Sequence, residues 1–188
     1  MYLFTKRSDP ENAPTTAGRL HLRIAGFSRQ RMVSLGQIVE AIDALPGFHL
    51  EGLREIIYAP HWHPKLIDPY LPHRMGQLKG EFRQRERRIV IFDFDSAGLF
   101  HQVLYHEIGH FVFFMAISSK VKKRWVTTIH PNAPCVTQYA MLNASEDFAE
   151  SYACYLLDPD RLKQVPEKYG FMRNFVFSGD PEMRKERY

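Results

Sequence analysis

The chain has 188 residues, 45% of them hydrophobic and 13% aromatic, which suits one compact domain and excludes an intrinsically disordered chain. Its 25 basic and 21 acidic side chains are interspersed and give a formal net charge of +4, too balanced to make nucleic acid an expected partner. Two cysteines, Cys135 and Cys154, exclude a disulfide framework and fit a reducing compartment, with one bridge between them left open.

Residues 1–18 are polar and carry Pro10 and Pro14, and read as a loose arm ahead of a single domain over 19–188. They hold no long apolar stretch of the kind a secretory leader carries, so a cytoplasmic protein is expected, or a secreted one if a leader has been removed. From Arg19 to Phe27 apolar Leu20, Leu22 and Ile24 alternate with His21 and Arg23, the pattern of a half-buried strand. Ser34 and Gln37 are spaced as a capping box for a helix running to about Leu45, with Ile38, Val39, Ile42 and Leu45 on one face. Pro46-Gly47 stops it, and a second strand is expected over Leu53 to Tyr58.

Residues 59–77 are rich in proline and histidine and read as a loop that is long for a compact domain, and such loops often carry function. Within it Trp62 either lines a substrate cleft or pins the loop to the core, and His61 with His63 offers two of the ligands of a second metal but no evident third. Gln77 to Arg83 and Arg88 to Phe94 form a hairpin around a charged turn whose arginines alternate with Glu81 and Glu86, a solvated tip rather than a nucleic-acid patch. Its second strand, Ile89-Val90-Ile91-Phe92, is expected to present a free edge on which an extended peptide can pair.

Asp95 or Ser96 can cap the next helix, which contains His106-Glu107-Ile108-Gly109-His110 inside the apolar run Leu99 to Ile117. Its longest unbroken apolar stretch, Phe111 to Ile117, is far too short to span a bilayer. Residues four apart on a helix lie about 40° apart around its axis, so both imidazoles leave one face and can grip one Zn²⁺ while Glu107 reaches its water. The flanks Val103, Leu104, Ile108, Phe111, Val112, Phe113 and Phe114 imply a buried helix, where two histidines and a glutamate need a partner, either a metal or a hydrogen-bonded pairing. The helix is expected to end near Ser118-Ser119, with Lys120, Lys122, Lys123 and Arg124 placed where positive charge favours its carboxyl end. Residues 125–138 read as an irregular loop. A second helix is expected from Ala144 to Leu157, and the aromatic residues Tyr169, Phe171, Phe175 and Phe177 of the tail are expected to pack back on the core.

A catalytic zinc takes three protein ligands and keeps one position open. Downstream candidates for the third are His130, Glu146, Asp147 and Glu150. Glu146 and Glu150 share a helical face, so one can ligate while the other supports an imidazole. Asn143 and Glu146 are also spaced as an ordinary capping box, so spacing favours Glu146 only modestly.

The two windows 106–110 and 139–150, H-E-x-G-H and Y-A-x-x-N-x-x-E-x-F-A-E, resemble the catalytic domain of anthrax lethal factor and the Pro-Pro endopeptidases, small bacterial metallopeptidases of that fold. The resemblance implies that Glu146 is the third zinc ligand and that Tyr139 assists catalysis; Leu142 stands where that family carries threonine. It implies an α+β zincin-like domain of the gluzincin type, with an amino-terminal mixed sheet and helix, the central metal helix, and a mostly helical carboxyl half. The stretch Glu146-x-x-Ala149-x-x-Tyr152-Ala153 with Leu156, Leu157 and Pro159 is similar also to the zinc proteases that cleave phage-type and stress-response repressors, which share the ligands and do not require Tyr139.

On this reading the chain is a zinc endopeptidase with one Zn²⁺ held by His106, His110 and Glu146. Glu107 serves as general base and later as proton donor to the leaving amine, and Tyr139 shares the oxyanion. Glu150 and, less directly, Asp147 support the ligands, while Trp62, Ile89, Val90 and Ile91 meet a peptide extended across the edge strand. A monomer is expected. The rival classes are a zinc-binding module without activity and a nucleic-acid-binding domain using the arginine cluster and the run 120–124.

Overall fold

The computed structural model describes residues 15–17, 22–64, 78–180, 182 and 184. It is an α+β architecture whose five-stranded sheet contains β1 (Thr15–Ala17), β2 (Leu22–Ala25), β3 (Glu55–Tyr58), β4 (Gly80–Arg83) and β5 (Arg88–Ile91) in the order β1-β2-β3-β5-β4. β2, β3 and β5 run parallel, and an antiparallel strand closes each edge. Thr15–Ala17, in the expected loose arm, is thus an edge strand on β2; residues 1–14 of that arm and 65–77 of the long loop lie outside the described residues.

Alternation along the strands separates two faces. Leu22, Ile24, Ile56, Ile89 and Ile91 enter the main core with α1 (Leu35–Asp43) and α2 (Ala97–Phe111), each fully buried side chain contributing about 1.5–3 kcal/mol. Val90, Phe92 and Ala59 form a smaller cluster on the reverse face, with Ile57, Trp62 and Leu78 packed on it. The expected capping box of α1 is formed: Ser34 Oγ accepts from the Gln37 amide at 3.2 Å, and Gln37 Oε1 accepts from the Ser34 amide at 2.8 Å.

β5 has no free edge. It lies between β3 and β4, and Ile89, Val90 and Ile91 are fully buried. Among the described strands the edge on this side is β4, because the hairpin folds its first strand outward and the parallel β3 takes the other side of β5.

Ser96 caps α2 by accepting from the Leu99 amide. The helix ends in one wide π turn over Val112–Ala116, and two later helices end the same way. The basic run does not trail α2; it forms a helix of its own, α3 (Ser119–Arg124), capped by Ser118. Residues Trp125–Ile129, expected as loop, continue α3 as its π turn and bury Trp125 completely, its Nε1–H donating to the Ala144 carbonyl at 2.8 Å. A large apolar ring with one satisfied donor suffices to hold that segment in the core.

The carboxyl half is helical as expected, with α4 (Ala144–Leu157), α5 (Pro159–Lys163) and α6 (Pro166–Phe171). The tail aromatics pack back: Phe171 is buried, and Phe177 stacks on Tyr152 and Tyr155. No helix among the described residues is long and apolar enough to cross a membrane.

Candidate metal centre

Helices α2 and α4 touch backbone to backbone. A Cβ at Gly109 would lie 2.9 Å from Ala149 Cα and 3.2 Å from Tyr152 Cβ, so only glycine permits this approach. Asn143 Oδ1 caps α4 by accepting the Ser145 and Glu146 amides at 2.9 and 3.0 Å, which sets where Glu146 leaves the helix. With both elements in place, His106, His110 and Glu146 form a candidate metal group.

Its three donor atoms make a nearly equilateral triangle. His106 Nε2, His110 Nε2 and Glu146 Oε2 are each 3.1 Å from the other two. A tetrahedral metal with bonds of about 2.0–2.1 Å holds its ligand atoms roughly 3.3–3.4 Å apart, so the residues fit such an ion with small shifts. Two imidazole nitrogens and a carboxylate oxygen so close cannot all present lone pairs without a cation among them. In the metal-free protein that cation is a proton: burial would lower the His106 pKa, but the hydrogen bonds it donates to Glu146 and Glu150 outweigh it and raise it to about 10. Burial pulls Glu146 the other way, yet its bonds to His106 and His110 lower its pKa to about 2.

Glu150 stands behind His106, its Oε1 accepting from Nδ1 at 2.8 Å. This bond places the proton on Nδ1 and leaves the Nε2 lone pair for the triangle. Burial raises the Glu150 pKa, but the hydrogen bond from His106 and the His106 charge bring it below the usual carboxylate value. His110 Nδ1, by contrast, is buried without a hydrogen-bond partner.

Glu107 lies beside the triangle, 5% exposed. Burial raises its pKa, opposed by the neighbouring His106 and His110. Gly80 lets β4 press against it: a Cβ there would stand 2.9 Å from Glu107 Cγ and Oε1 and 2.8 Å from Val103 Cγ1. The Tyr139 ring is 5.7 Å from that of His106, at the exposed rim. Burial of its hydroxyl, then the charges of Glu146, Glu107 and Glu150, raise its pKa to about 12, so it remains a proton donor across the ordinary pH range. A cleft of about 300 Å³ opens between β4 and α2, walled by Leu78, Gly80, Leu99, Val103, Thr137 and Tyr139.

The other expected residues lie elsewhere. Asp147 does not support the ligands; it is buried on another face of α4, bonded to the Lys168 ammonium at 2.5 Å and to His130 Nδ1 at 2.9 Å. His130 is thereby removed from the centre as well. Trp62 is a loop anchor on the reverse face of the sheet, with Arg83 and Arg88 over its ring. His63 donates Nε2–H to the Leu78 carbonyl, and neither it nor His61 joins a metal group among the described residues. Sequence reasoning missed Gly80, for which a glycine inside a strand is the available signal, and Thr137, for which no pattern exists. No family model matches the chain, and comparison with curated proteins and with solved structures finds no match either.

Proposed function

We propose that the chain is a zinc-dependent endopeptidase, with His106, His110 and Glu146 holding the ion. The supporting observation is the triangle of two imidazole nitrogens and one carboxylate oxygen at 3.1 Å, with a second, buried carboxylate, Glu107, directly beside it. Two nitrogens and one oxygen form the donor set of hydrolytic zinc sites. A zinc ion bound there supplies Lewis acidity, bringing the pKa of water toward neutrality and polarising a carbonyl.

Glu107, packed against β4 at Gly80 and with its pKa raised by burial, takes the proton from the attacking water and passes it to the departing amine. Tyr139 donates its hydroxyl proton in a hydrogen bond to the developing oxyanion, a contribution of about 3–4 kcal/mol for one such donor. Glu150 keeps the His106 ring in the tautomer that offers Nε2. A peptide pairs in extended form along the outer edge of β4, next to the cleft, rather than along β5.

The test is a mass-spectrometric digest of a diverse peptide library by zinc-loaded wild type and Glu107→Gln. Wild type is expected to cleave, and the variant to bind zinc equally while losing about 10²–10⁴ in rate. Cleavage confined to bonds between prolines would place it beside the Pro-Pro endopeptidases. Equal cleavage by both proteins would remove Glu107 from the mechanism, and zinc binding without cleavage by either would leave a silent zinc module.

A further inference from the structure

We infer that Gly80 is a positioning residue: by carrying no side chain it leaves Glu107 its place beside the ligand triangle, between β4 and α2. What Glu107 does there rests on the peptidase reading, and where it stands rests on packing alone.

β4 runs along one ridge of α2. Val103, Glu107 and Phe111 are successive fourth residues of that helix and share a face, and alternation along β4 turns Gly80 and Phe82 toward them. Phe82 meets Phe111 edge-on, with ring centres 5.4 Å apart. At Gly80 the strand is buried and offers backbone alone. The space that a Cβ would take is already filled, by Val103 Cγ1 at 2.8 Å and by Glu107 Cγ and Oε1 at 2.9 Å. Non-bonded carbon atoms rest at about 3.5–4.0 Å, so a methyl group enters only if something moves.

Which group moves decides the consequence. The strand is held on both sides of Gly80: the Phe92 amide donates to the Lys79 carbonyl at 2.8 Å, β4 pairs with β5 along its length, and Phe82 is seated on Phe111. α2 is blocked from behind. Gly109 lies about 200° around the axis from Glu107, and there α4 already touches the helix through Ala149 and Tyr152. Val103 is β-branched and has one strongly preferred rotamer in a helix. Glu107 is unbranched and borders the cleft, so it is the group that yields. Two glycines thus serve the centre from opposite sides of one helix. Gly109 admits α4 with Glu146 and Glu150, which concern the ion, and Gly80 admits the carboxylate of Glu107, which concerns the water.

The experiment is Gly80→Ala, read by turnover of a library peptide that wild type cleaves and by the cobalt-loaded protein. We expect kcat to fall about 10–100-fold, as a displacement of about 1 Å can cause, with KM within about twofold and Co²⁺ affinity unchanged. In Co²⁺-loaded protein carrying isotope-labelled glutamate, the Glu107 carboxylate resonance, assigned by its loss in Glu107→Gln, is expected to shift. If the added methyl lowers the melting temperature too far, the same comparison is made between Val103→Ala and Gly80→Ala/Val103→Ala, where the new Cβ no longer meets the valine methyl. An unmoved Glu107 resonance would overturn the proposal whatever the rate. So would a rise in KM alone, which would mean that the strand had moved instead, or a fall in Co²⁺ affinity in step with kcat, which would mean a general loosening. If wild type hydrolyses no peptide the peptidase reading falls, while the Glu107 resonance and the Co²⁺ affinity still decide what Gly80 holds.

Discussion

Helix α4 carries two clusters of histidine and carboxylate on different faces. On one, Glu146 and Glu150 meet His106 and His110, with Glu107 close by. On another, Asp147 meets His130 and Lys168, with Cys135 near enough to complete a set of metal-capable groups. Both are rich in possible ligands, but their charge balance differs. Asp147 has a fully buried ammonium as its counter-ion, so the second cluster is neutral as built. Glu107, Glu146 and Glu150 ion-pair with no lysine or arginine among the described residues, and the first cluster draws in a proton or a metal. The comparison teaches that ligand types alone do not define a metal centre; the missing counter-charge does, because a buried negative group must be compensated by something.

The largest expected effect comes from removing the built-in cation. Lys168→Met leaves Asp147 buried with His130 as its one remaining partner and should cost about 3–5 kcal/mol in chemical denaturation of the metal-free protein, while the first cluster still binds one ion. A loss under about 1 kcal/mol, together with uptake of a second metal ion at His130, Cys135 and Asp147, would break the comparison.

A third contact of α4 sharpens it with a neutral histidine. His49 is fully buried, its Nε2–H donating to the Val176 carbonyl and its Nδ1 accepting from the Tyr152 hydroxyl, both at 2.8 Å. Burial, with a smaller contribution from the Arg184 charge and against the Val176 bond, lowers its pKa to about 4. Between pH 4 and the unfolded value of about 6.5 the unfolded chain binds more protons, so stability is full above that window and falls as pH drops through it. The loss reaches about 3 kcal/mol. Denaturation of metal-free wild type and His49→Gln at pH 7 and pH 4.5 checks this, and equal pH slopes for the two would refute it.

The smallest effect tests the carboxylate behind the ligand. Glu150→Ala should weaken zinc binding by about 10–100-fold, about 1.4–2.7 kcal/mol. The zinc-dependent rise in melting temperature measures it, and an unchanged affinity would mean that Glu150 does not orient His106.

Much of this arrangement is legible locally. The His106–His110 spacing, the Ser34 and Asn143 caps and the alternation in β2 all act within a turn of helix or a pleat of strand, which is why a short window suffices for them. The π turns after α2 and α3, the burial of Trp125 and the reverse-face position of Trp62 were not legible, since each depends on what distant segments leave uncovered. Glu146 and Asp147 are neighbours of the same chemistry in sequence, and the fold turns one toward two imidazoles and the other toward a lysine.

By itself the sequence determined the α+β class, the helix that presents His106 and His110 on one face, and their candidacy with Glu146 as metal-binding groups, because periodicity and capping are short-range physics. Only the tertiary structure decided that β4 and not β5 forms the edge, that Asp147 belongs to Lys168, and that Gly80 and Thr137 border the centre. Those outcomes follow from strand order and from the close approach of α2 and α4 at Gly109. They are long-range choices whose energies are summed over the whole core and are written in no single stretch of chain.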